Sequence, residues 1–101
     1  MMLYYTQLIY IQKDRETIFH DFEDKVLPLL ERHGGELIYR VRPDKKNVIA
    51  CVGELPYEVH LVAFQNRRGF EAYRDDPERL KSMPLKNESV ERILLIEGTA
   101  L

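Results

Sequence analysis

The stretch "GFEAYRDDPERLKSMPLKNESVERILLIEG", residues 69–98, decides the fold of this chain. It reads as a short helix, a break at Asp76-Pro77, a further helical turn through Met83 and an apolar strand closed by Gly98. Asp76 has the side-chain oxygen that an N-cap needs, and Pro77 suits the first helical position, where no N–H is required. The strand "VERILLIE" (90–97) alternates Ile93 and Leu95 on one face with Leu94 and Ile96 on the other. A strand that is apolar on both faces needs cover on both sides, and the rest of the chain must be read for what can supply it.

Residues 2–11 repeat the pattern, with Leu3, Tyr5, Ile9 and Ile11 on one face and Met2, Tyr4, Leu8 and Tyr10 on the other. Aromatic and β-branched content favours a strand over a helix. Asp14 is the expected N-cap of an amphipathic helix over 15–33, whose stripe is Ile18, Phe19, Phe22, Val26, Leu29 and Leu30. Pro28 is expected to bend that helix and Gly34-Gly35 to end it. "ELIYRVR" (36–42) is a second strand, and "PDKKN" (43–47) a turn. "VIACVG" (48–53) reads as an extended arm or continuation of the sheet, and "EVHLVAFQ" (58–65) as the third main strand. Asn66 caps a short helix over 67–75. The order strand, helix, strand, strand, helix, strand predicts an α+β fold. It is a single ferredoxin-like domain over 1–101, with an antiparallel sheet and both helices on one face.

Two helices shelter one face of such a sheet. The other face measures on the order of 400 Å² in projection, from strand length and spacing. An apolar patch of that size is at the limit of what soluble monomers expose. The expected cover is the same face of a second copy, giving a sheet-to-sheet homodimer.

Composition excludes several classes. A net charge of −2 argues against a general nucleic-acid binder, which needs a basic surface. The N-terminal "MMLYYTQLIYIQKD" is too short and polar to span a membrane and lacks a basic leader region. The single cysteine, Cys51, reads as a buried strand residue and fits a reducing compartment, so a cytoplasmic setting is expected.

Four stretches resemble the dimeric α/β-barrel superfamily of ferredoxin-like domains, and within it small bacterial proteins of unknown function. They are "VLPLLERHGGEL" (26–37), "GELPYEVHLVAF" (53–64), "GFEAYRDDPE" (69–78) and "ILLIEG" (93–98). The chain departs from that branch at Val52, before Gly53, in having no tryptophan, at Asp76-Pro77-Glu78, and in carrying Lys86 where an arginine is frequent. The resemblance implies a dimer with a small pocket in each subunit. It leaves open whether the chemistry is that of cofactor-free monooxygenases, isomerases, haem enzymes or ligand sensors.

His60 is the candidate catalytic residue, a mid-strand imidazole on the face of Val62 and Phe64, with Tyr4, Tyr5 or Gln7 as possible neighbours. It can serve as a general base near neutrality or as a structural histidine bonded to an adjacent strand. Arg40 and Arg42 share a strand face and can hold a carboxylate substrate or defend a sheet edge. Arg67 and Arg68 open the second helix; they form an anion site, or Arg67 pairs with Glu71 at i,i+4. Phe70 and Tyr73 face inward at helical spacing. Tyr5, Arg40, Arg68 and Tyr73 are therefore the candidate substrate-binding residues. His20 and His33 lack metal-ligand spacing, no zinc, phosphate-loop or dinucleotide motif occurs, and no cofactor is expected. Two functions remain. One is a cofactor-independent enzyme, monooxygenase- or isomerase-like, acting on a small apolar or aromatic organic acid or ketone. The other is a non-catalytic ligand-binding or dimerisation module.

Overall fold

The computed structural model describes residues 2–101. Its elements are β1 (Leu3–Ile11), α1 (Glu16–Val26), a 3₁₀ segment (Leu27–His33), β2 (Gly35–Val41) and a 3₁₀ turn (Lys45–Asn47). They continue with β3 (Glu58–Phe64), α2 (Arg67–Arg74), α3 (Pro77–Lys81), α4 (Met83–Ser89) and β4 (Val90–Gly98). The four strands form one antiparallel sheet in the order β2-β3-β1-β4. The α+β ferredoxin-like arrangement expected from the sequence is the one observed. The molecule is flat, with extents of 36 × 36 × 17 Å, because helices cover only one face of the sheet.

Alternation along β3 shows which face that is. Glu58, His60, Val62 and Phe64 are buried beneath the helices, while Val59 and Leu61 on the opposite face are only half-buried. Tyr5 and Ile9 of β1 join the buried side, and Phe19, Phe22, Val26, Leu29 and Leu30 pack down on it. On the open face, Leu94 and Ile96 of β4 are 52% and 49% exposed, and Tyr39 and Val41 of β2 are similarly bare.

Several local expectations are corrected. Helix 15–33 is not continuous: the α-helix stops at Val26 and a 3₁₀ segment follows, with Pro28 in its first turn. Proline cannot donate to the α ladder and clashes with the preceding turn, so the chain tightens there rather than bending. Gly34 then closes the segment at φ 74°, a left-handed conformation that glycine adopts without strain. Gly35 is needed for space, since a Cβ there would lie 2.7 Å from the Phe64 ring. Asp14 does not cap α1; its own φ is 62°, placing it in the turn, and Arg15 occupies the cap position without a side-chain bond. Asn66 and Asp76 do cap as expected, accepting from the amides of Gly69 and Glu78. Helix α4 was not foreseen, because "MPLKNES" lacks an apolar period; Pro84 starts it.

The run 48–53 is not a strand. The turn after β2 carries it off the sheet, so Ile49 and Val52 are fully exposed and Cys51 is a free, exposed thiol rather than a buried one. Among the described residues, no helix is long and apolar enough to cross a membrane.

Candidate functional site

Sheet register fixes the site. His60 stands opposite Gln7 of β1 and Arg40 of β2, on the central strand pair and on the helix-covered face. Glu58, two residues earlier, points the same way. Helix α1 lowers Glu23 onto them, because Glu23 sits four residues after Phe19 on the buried stripe. His60 is 2% exposed, Glu58 0% and Glu23 4%.

Buried charges must be paired or neutralised. Glu58 is paired: Arg40 Nε donates to its Oε2 and Arg42 Nε to its Oε1, each at 2.9 Å. His60 Nε2 also bonds to Glu58 Oε2. Burial alone would raise the Glu58 pKa, but the hydrogen bonds from His60 and Arg40 overturn that and hold it at about 2. Glu23 has no such support. Burial, partly opposed by His60 and reinforced by Glu58, pushes it up to about 7. Its Oε2 lies 3.6 Å from His60 Nε2, too far for a hydrogen bond, and has no partner among the described residues.

The protonation pattern follows. An ionised carboxylate only accepts, so in the neutral ring Nε2 carries the proton toward Glu58 and the basic lone pair belongs to Nδ1. Glu58 thus orients the imidazole and can stabilise its cation, the role a carboxylate plays beside histidine in hydrolytic triads. Glu23 is the group able to gain or lose a proton near neutrality.

Glu23, Glu58 and His60 also place one donor atom each within 4.8 Å of one another, a cluster of metal-ligand type. A divalent ion there would have to displace two guanidiniums from Glu58 or sit beside them. The charge balance therefore favours the hydrogen-bonded arrangement.

Glu23 and His60 form part of one wall of a cavity of about 430 Å³ between the sheet and the helices, with Glu58 behind His60 and outside the lining. The lining is mainly apolar, including Ile9, Phe19, Val62 and Phe70. Gln7, Tyr73, Arg79 and Lys86 add polar groups to it.

The candidates read from the sequence divide in two. His60, Tyr5 and Tyr73 line the cavity. Tyr5 stacks on Phe70 at 4.2 Å and donates to Glu97 Oε1 at 2.8 Å; burial and the Glu97 bond raise its phenol to about 12. The Tyr73 hydroxyl reaches the Val26 carbonyl at 3.4 Å. Arg40 is engaged with Glu58, so the carboxylate it holds is the protein's own. Arg68 is exposed and outside the cavity. Its neighbour Arg67 pairs with Glu97 across to β4 rather than with Glu71.

Glu23, Glu58, Arg79 and Lys86 were missed. A glutamate on an apolar helical stripe, and an acid two residues before a mid-strand histidine, were the available signals.

No family model and no curated protein matches the chain. Solved structures do. A Rhodopseudomonas palustris protein of unknown function, RPA0582, superposes with TM-score 0.83 at 17% identity, over 99% of this chain and 82% of that one. A dabb family protein with a ferredoxin-like fold from Mesorhizobium loti gives 0.69 at 14%, over 99% and 97%. A dimeric protein of unknown function from Bacteroides fragilis gives 0.70 at 14%, over 96% and 94%. NIPSNAP family proteins from Burkholderia xenovorans and Agrobacterium tumefaciens share the architecture. The structural neighbours of this chain are thus bacterial dabb and NIPSNAP proteins with a ferredoxin-like fold.

Proposed function

We propose that the cavity is a cofactor-independent proton-transfer site, isomerase-like, for a small and largely apolar carbonyl compound or organic acid. The observation that carries this reading is the placement of His60. Its Nε2 bonds to a carboxylate locked in its ionised form, Glu58, and lies 3.6 Å from one poised near neutrality, Glu23, at the wall of an apolar cavity. His60 takes a proton from the carbon next to the substrate carbonyl, and Glu58 stabilises the resulting imidazolium. Protonated Glu23 stabilises the developing enolate oxygen, and the proton returns at a second carbon. No net oxidation occurs and the atoms balance. Acid–base assistance of this kind supplies roughly 10²–10⁴-fold.

The test is solvent deuterium exchange, followed by proton NMR, over a panel of small ketones and aromatic acids. Wild type is expected to label at least one member and His60→Gln to lose that labelling while still binding it. Binding without labelling in the wild type would make the protein a ligand sensor instead.

We further propose a homodimer built by the open sheet face. Leu94, Ile96, Tyr39 and Val41 lie half-exposed on that face, and a structural neighbour is described as dimeric. A reducing, cytoplasmic setting is consistent with the exposed free thiol of Cys51.

A further inference from the structure

Besides Arg74, which pairs with Asp75, the cavity holds two cations that the proton-transfer reading does not use. Arg79 enters it from α3 and Lys86 from α4. Arg79 gives Nη1 to the Arg74 carbonyl at 3.1 Å and lies with its guanidinium 5.2 Å from the centre of the Tyr73 ring. Its Nε is buried with no partner among the described residues. Lys86 makes no ion pair among the described residues. Burial and the nearby Arg79 both depress its pKa. Among the described residues, neither cation has a carboxylate within ion-pair distance. The acids close by are Glu23, which burial holds only partly ionised near pH 7 and which makes no ion pair with either cation, and Asp75, which is taken by Arg74.

Two cations without counter-ions in an apolar cavity are costly unless something negative completes them. An orphaned guanidine N–H and an ammonium together present what a carboxylate accepts.

We propose that Arg79 and Lys86 form a carboxylate-binding subsite, so that the ligand of this cavity is a small organic acid with an apolar body. This deepens the proton-transfer reading by naming the substrate class, and it rests on that reading only in needing the cavity to take a ligand. The acid head sits under α3 and α4, the apolar body lies along the aromatic wall, and Glu23 separates the head from His60. The task that the sequence assigned to Arg40 or Arg68, neither of which lines the cavity, falls to Arg79 and Lys86.

The experiment is calorimetric titration with phenyl- and short alkyl-bodied monocarboxylic acids, each paired with its own primary amide. The amide keeps shape and removes charge. Wild type is expected to bind its best acid on the order of tenfold to a hundredfold more tightly than the matching amide, the range of one or two charged hydrogen bonds. Lys86→Met and Arg79→Gln are expected to bring acid and amide close together, the acid losing far more affinity than the amide. His60→Gln is expected to keep the preference. Equal binding of acid and amide by wild type, no binding of either, or an undiminished preference in Lys86→Met would overturn the subsite. Because Lys86 makes no ion pair, Lys86→Met tests the idea even if Arg79→Gln fails to fold. Acid preference without deuterium exchange would leave the subsite standing and remove the catalytic reading; exchange without acid preference would do the reverse.

Discussion

His60 Nε2 and Glu23 Oε2 face each other at 3.6 Å across the floor of the cavity, and no other polar group among the described residues completes that carboxylate oxygen. The pair is close enough to feel each other's charge and too far apart to be satisfied. Glu23 is therefore a destabilised group with chemical potential, set by α1 onto the central strands.

That strain has a pH signature. Burial, reinforced by Glu58 and partly opposed by His60, Arg40 and Arg79, raises Glu23 from an ordinary carboxylate value to about 7. The native state then binds more protons than the unfolded chain between about pH 4.5 and 7, and stability falls as pH rises through that window. The loss above pH 7 is roughly 3 kcal/mol. Glu23→Gln should flatten the decline in denaturant titrations and should be more stable than wild type at pH 8. Parallel profiles for the two proteins would contradict the assignment.

Glu58 acts in the opposite sense. Its pKa is lowered to about 2, so the stability it contributes is present above the ordinary carboxylate value and disappears as pH falls toward 2. The two guanidiniums are not equivalent, since the Arg40 side chain is 25% exposed and that of Arg42 47%. Removing Arg40 should cost about 3 kcal/mol or more, as breaking a buried pair does, and removing Arg42 about 1 kcal/mol or less. Arg40→Met and Arg42→Met, compared by urea unfolding, decide this; equal costs would mean that Glu58 is less buried than its geometry shows.

Tyr5 ties the other end of the sheet. Its hydroxyl shares Glu97 with Arg67, and its phenol is pushed up to about 12. In an alkaline ultraviolet titration, Tyr5→Phe should remove the last tyrosine to ionise and cost about 1 kcal/mol. Loss of an ordinarily titrating tyrosine instead would break the Tyr5–Glu97 bond as an explanation.

The open sheet face makes a separate prediction. Leu94→Glu or Ile96→Glu puts a charge where the proposed twin packs, and sedimentation should show dissociation into folded protomers. Wild type that sediments as a protomer at micromolar concentration would remove the homodimer altogether.

The sequence carried the fold wherever side chains obey a period. β3 follows the alternation of two, β1 and β4 stand out as runs rich in aromatic or β-branched residues, and the caps at Asn66 and Asp76 follow from the need to satisfy helix amides. It failed where the period is apolar but the chain has nowhere to pair. Ile49, Cys51 and Val52 look like strand residues and lie exposed, because strand formation depends on a partner edge that local sequence does not specify. The site was half legible. His60 stands out as a polar residue in an apolar strand. Glu23 and Glu58 were hidden because acids are ordinarily solvated, and Arg79 and Lys86 because the short helices α3 and α4 have no readable period. Distant residues meet at one cavity only after register is fixed.

The central claim is that Glu58 holds His60 in the tautomer that leaves Nδ1 free to act as a base. Long-range proton–nitrogen NMR on imidazole-labelled protein reads this directly. In the neutral ring of His60 the account predicts a proton on Nε2 and a bare Nδ1, with the pattern lost in Glu58→Gln. A proton on Nδ1 and a bare Nε2 in the wild type would contradict it.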